Sequence, residues 1–150
     1  MMTLKQKIYT HYFKGVNDTI QMLQQVLADL KESGANETKS TAGDKHETAL
    51  AMLQIEQAHT REQLEKIVQQ KNAMEKINPA VTTHNVVNGS LIKTNRGHFF
   101  MSIAAAKANV DGVTVMALSP QSPLGRQLMG LKVGDTTTVN NNHYTIESIA

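Results

Sequence analysis

From Tyr9 onward, apolar residues recur at alternating intervals of four and three: Tyr9, Phe13, Val16, Ile20, Leu23, Leu27 and Leu30. That rhythm keeps a narrow stripe on one side of a helix, and such a stripe packs on another helix rather than on a broad core. Leu50, Leu53, Gln57, Thr60, Leu64, Ile67, Lys71 and Met74 repeat the rhythm more weakly, with five apolar residues of eight. Glu62 and Lys66 stand four residues apart on a flank expected to face water. Between the two stretches lies SGANETKSTAG, Ser33 to Gly43, small and polar. Gly34 is placed to end the first helix and Asp44 to begin the second. Two helices with matching seams and one polar connection predict an antiparallel hairpin over residues 1–77, with its end near 33–47. At roughly 30 residues each, the helices would be about 45 Å long.

Past Lys76 the period changes. Pro79 lacks a helical N–H and restricts the residue before it, so residues 78–85 read as a linker. The segment 86–150 alternates as strands do, in VVNGSLIKTN, GHFFMSIAAA, VDGVTVMALS and DTTTVNNNHYTIESIA. Asn88-Gly89 and Asp111-Gly112 supply two-residue turn signals. Phe99-Phe100 predicts a strand with one ring in the core. Before the last run, SPLGRQLMGLKVGD predicts a short helix with Ser122 as cap, Pro123 in the first turn and Gly130 or Gly134 closing it. The fold class is α+β: a helical hairpin followed by a small antiparallel β domain with one short helix.

Composition narrows the function. There is no cysteine, which excludes disulfides and thiolate zinc sites and fits a reducing compartment. The N-terminal stretch lacks the apolar core of a secretory signal, and no run approaches the ~18 apolar residues of a membrane span, so the cytoplasm is expected. Residues 1–76 hold ten basic and ten acidic side chains, and residues 77–150 hold five and three. Neither half is basic enough to bind DNA or RNA directly by neutralising phosphates. No phosphate-binding glycine loop or nucleophile elbow occurs. The six histidines, at 11, 46, 59, 84, 98 and 143, show no metal-ligand spacing.

The candidate chemistry is in Asp44-Lys45-His46-Glu47. As structure, this is a capping box: Asp44 accepts from an N–H in the first turn and Glu47 reaches back to the cap. As chemistry, the same geometry puts two carboxylates on one helix face, where the N-terminal dipole favours their charged forms. Mg²⁺ is held through one or two carboxylates while keeping several waters, so a partner would have to complete its coordination. The residues alone leave both readings open.

Two motifs resemble the bacterial Gre transcript-cleavage factors. SPQSPLGRQLMGLKVGDTTTV is similar to that family's C-terminal signature, and GDKHETA to its Gly-Asp-x-x-Glu-x-Ala tip. They stand in the family's order, and the resemblance covers nearly the whole chain. It implies a coiled-coil hairpin joined to an FKBP-like domain that docks on RNA polymerase, the hairpin entering the secondary channel. It further implies that Asp44 and Glu47 help hold a Mg²⁺ ion shared with the polymerase active site, where the polymerase hydrolyses the 3′ end of backtracked nascent RNA. The protein would activate that hydrolysis without being an enzyme by itself, and would be a monomer when free. Ser122, Pro123 and Arg126 match the polymerase-docking edge. The chain departs from the family at Thr48, Leu50 and Gln121, as well as at Lys45 and His46, as a divergent branch would. A regulator or inhibitor that occupies the channel without promoting cleavage is the alternative.

Overall fold

The computed structural model describes the backbone of residues 1–38 and 44–150, and the side chains of 1–35 and 47–150. The chain divides into two compact units, one of Met1–Lys14 with Asn72–Ala150 and one of Gly15–Lys71.

Helix α1 spans Leu4–Thr38 and α2 spans Asp44–Glu75. A capping box opens α1: Thr3 Oγ1 accepts from Gln6 N at 3.2 Å while Gln6 Oε1 accepts from Thr3 N at 2.8 Å. The two seams behave as their spacing predicts. Every seam position from Tyr9 to Leu30 and from Leu50 to Met74 is buried or half-buried. Off the seam, Met22, Met52 and Ile55 are exposed. Within the Gly15–Lys71 unit the helices run antiparallel. Gln57 Nε2 donates to Leu30 O at 3.3 Å, and a groove nearer the other end brings Thr19 and Leu23 beside Ile67 and Gln70. Thr60 keeps its place in the seam because its hydroxyl is satisfied within the helix, donating to Glu56 O at 2.8 Å.

One boundary differs from expectation. Helix α1 does not stop at Gly34 but continues to Thr38. A glycine costs a helix only about 1 kcal/mol relative to alanine. The facing helix still offers packing there, because a Cβ on Gly34 would lie 3.7 Å from the Gln57 side chain. At the far end α2 closes as expected ahead of Pro79, with Ile77 N donating to Met74 O at 3.0 Å.

In the other unit six strands form one sheet: β1 Leu91–Thr94, β2 Gly97–Met101, β3 Ala108–Val110, β4 Val113–Leu118, β5 Thr136–Val139 and β6 Asn142–Ile149. Their order is β3-β4-β2-β1-β6-β5. All pairings are antiparallel except β2 with β4, which run parallel. Sequence alternation cannot tell a parallel from an antiparallel neighbour. Here the segment 102–112, which includes β3, is long enough to carry the chain back. Asp111-Gly112 forms the β3–β4 turn as predicted, with φ of 52° and 79°. Asn140-Asn141, at φ 52° and 65°, splits the final run into β5 and β6. Asn88-Gly89 is a turn that leads into β1 instead of a hairpin loop, and Gly89 N donates to Met101 O at 2.6 Å.

Both faces of this sheet are covered at its centre. One carries the core of Val86, Ile92, Phe99, Met101, Leu118, Leu128 and Ile146. On the other, Phe100 stacks with Tyr12 from the first turns of α1 at a centroid distance of 6.4 Å, and Ile8 and Met74 are wholly buried. The expectation of a single core ring at Phe99-Phe100 is therefore corrected: both are buried, 7% and 0% exposed. Adjacent strand residues point to opposite faces, and each face has its own layer. Tyr12 is anchored by donating to Ala106 O at 2.7 Å.

Candidate functional site

The first candidate is the start of α2. Asp44 is the first residue of that helix. Glu47 follows three positions later, so the two lie on one face of its first turn. Glu47 is exposed. The Asp44 side chain lies outside the described residues, as do residues 39–43, Lys45 and His46 side chains and the expected capping bonds. Two carboxylates one turn apart are hard oxygen donors of the kind Mg²⁺ accepts. Among the described residues no three His, Cys, Asp or Glu side chains cluster as a metal site. Two acids are a partial donor set, able to contribute ligands to an ion that another molecule also holds.

The second candidate is helix α3, Pro123–Leu128, between β4 and β5. Ser122 caps it, its Oγ accepting from Gly125 N at 3.0 Å and donating to Ser119 O at 2.7 Å. Pro123 occupies the first turn, where its missing N–H costs nothing. Leu128 is wholly buried in the core and fixes the helix to the sheet. Gly130, at φ 82°, follows the last turn, in a conformation that favours glycine, and its N–H donates to Val86 O at 2.8 Å. Pro123 and Arg126 are exposed, Ser122 is half-buried, and the Arg126 guanidinium has no hydrogen bond or ion pair among the described residues. The three expected docking residues therefore share one short, rigid helix start.

Sequence reading overlooked what holds that start in place. Gln121 accepts from Ser119 Oγ at 2.7 Å and its own N–H donates to the same hydroxyl at 3.2 Å, so the Gln121 departure is absorbed into the loop. Gly125 is buried, and a Cβ there would collide with the Ser119 carbonyl oxygen. The Gly-Arg pair after Ser-Pro-Leu was visible in the sequence, but the close approach of residues 119 and 125 was not.

No protein-family model matches the chain, and no curated protein does. Among solved structures it is similar to one described as the structure of the transcription factor Gfh1, at 12% identity over 91% of this chain and 92% of that one, with a TM-score of 0.36. A superposition that loose establishes neither a shared family nor a shared activity.

Proposed function

We propose that the protein binds the secondary channel of bacterial RNA polymerase and stimulates Mg²⁺-dependent cleavage of backtracked nascent RNA. The observation that carries this reading is the start of α2 at Asp44, which puts Asp44 and Glu47 on the first turn at the end of a two-helix hairpin. The motif resemblance at that turn and at Ser122-Pro123 supplies the partner. Asp44 and Glu47 would each offer a carboxylate oxygen beside the positive end of the helix. When bound, the ion supplies Lewis acidity and an activated water. Exposed Pro123 and Arg126 present a rigid edge and an uncommitted guanidinium for docking, with a geometry suited to carboxylates on a partner. The chain does not hydrolyse RNA alone; its residues complete a site that polymerase already has.

The test is RNA release from a stalled, backtracked elongation complex in Mg²⁺, with wild type and Asp44→Ala/Glu47→Ala compared. Short 3′ fragments should appear with wild type and be lost in the double variant while polymerase binding persists. If wild type binds polymerase yet releases nothing, the protein is a channel-occupying regulator instead. If it does not bind, the reading fails.

A further inference from the structure

A cavity of about 350 Å³ opens within the sheet-bearing unit, and nothing in the proposed function uses it. Its floor is the sheet face toward the first turns of α1. Lys93 on β1 is directly opposite His98 on β2 and Ser148 on β6. Residues opposite one another across a sheet share a face, with Cβ atoms about 4.5–5.5 Å apart. Lys93, His98 and Ser148 therefore form one row, and all three line the cavity. Lys5 of α1 also lines it, 5% exposed, with its ammonium donating to Val81 O at 2.6 Å.

The charged side chains that line this cavity are all basic. No aspartate or glutamate lines it. Lys5 has one carbonyl partner for three N–H donors and no ion pair, and Lys93 and His98 have no side-chain partner among the described residues. A buried ammonium without a counter-ion is costly, and burial pushes the Lys5 amine below its ordinary range. The first turn of α1 adds the positive end of its dipole. Ala150 also borders the space, its N–H and O paired with Leu91 at 2.8 and 3.1 Å, and a terminal carboxylate there would set one negative charge against Lys5 and Lys93. The remaining wall is mixed, with Leu4, Pro79, Ala80 and Leu91 giving it an apolar part and Thr3, Gln6 and Thr82 a polar one. Volumes of roughly 300 Å³ and above are those of small-molecule sites.

The geometry points to a binding site for a small phosphorylated molecule, its phosphate held by Lys5, Lys93 and His98 and its short apolar body against Leu4, Pro79 and Leu91. Ammonium groups act as point charges for phosphate, and the Ser148 hydroxyl adds a donor. This assignment is independent of the polymerase reading.

The test is a titration of the full chain with phenyl phosphate, and separately with inorganic phosphate, followed by amide chemical shifts. Phenyl phosphate should shift the amides of Lys93, His98 and Ser148 saturably. Lys93→Gln, at an exposed position, should weaken binding about tenfold, as expected for losing one charge-assisted hydrogen bond, while Lys93→Arg retains it. Inorganic phosphate should bind more weakly, lacking the apolar body. The proposal is overturned if phenyl phosphate gives no saturable shift, if the shifts map elsewhere, or if Lys93→Gln and His98→Gln with unchanged spectra bind as wild type does. Equal affinity for the two phosphates would overturn the role of the apolar wall.

Discussion

Alanine placed at Gly125 and at Gly15 should change stability in opposite directions, although both glycines are helical. At Gly15, on an exposed face of α1, a new Cβ meets nothing within 4 Å. Only the backbone term remains there, and Gly15→Ala should stabilise by about 0.5–1 kcal/mol. At Gly125 the same propensity gain of about 1 kcal/mol applies. Against it, the Cβ would collide with the Ser119 carbonyl oxygen and approach Ser122 Oγ to 2.8 Å. A backbone carbonyl cannot rotate away as a side-chain end can, so α3 must move off the 119–122 loop. That movement breaks the Ser122 cap, worth about 1 kcal/mol, and displaces Leu128 from a packed core at about 1–3 kcal/mol. The net expectation for Gly125→Ala is a loss of about 1–3 kcal/mol. Urea unfolding followed by far-UV circular dichroism measures both, with the shift in midpoint read at constant slope. A Gly125→Ala variant as stable as wild type would refute the claim that residues 119 and 125 are locked together. So would a Gly15→Ala variant that lost stability.

Tyr12→Phe should destabilise by about 1–2 kcal/mol, because the hydroxyl that donates to Ala106 O is lost from a buried site while the stacked ring is kept; thermal unfolding checks this. Burial raises the Tyr9 and Tyr12 pKa values above 10.0 and lowers that of Lys5 below 10.5. Unfolded tyrosines release protons first, so the folded state binds more protons above pH 10 and stability falls there as pH rises. Lys5 acts oppositely, with stability rising between its lowered pKa and 10.5. Lys5→Met should remove that rise and leave the alkaline loss in place, as read by denaturation midpoints across the range. If the protein docks on polymerase as proposed, Arg126→Ala should weaken that binding severalfold without shifting the unfolding midpoint, since the guanidinium is exposed; a pull-down titration with an unfolding control separates the two.

The hairpin was legible because its information is periodic. The 4-3 spacing from Tyr9 to Leu30 selects one helix face, and the same spacing from Leu50 selects its partner, down to the polar Thr60 and Gln57 that burial now includes. The short helix was legible through Ser122-Pro123, since a cap and a first-turn proline are local chemistry. The Asp111-Gly112 turn was legible for the same reason. Local signals did not settle where α1 ends: Gly34 reads as a stop, and the facing helix overrides it.

What only the tertiary structure decided is the pairing of distant segments. The parallel neighbour of β2 depends on a crossover, and alternation within either strand is blind to it. Two core rings at Phe99-Phe100 depend on a helix turn covering the second face. Gly125 becomes obligatory only when the 119–122 loop folds against it. The cation-lined cavity needs β2, β1 and β6 in one register with α1 above them, and no spacing between Lys5, Lys93, His98 and Ser148 announces that. Sequence specifies what each residue can do within a turn or two of its own backbone, and long-range register then decides which of those residues meet.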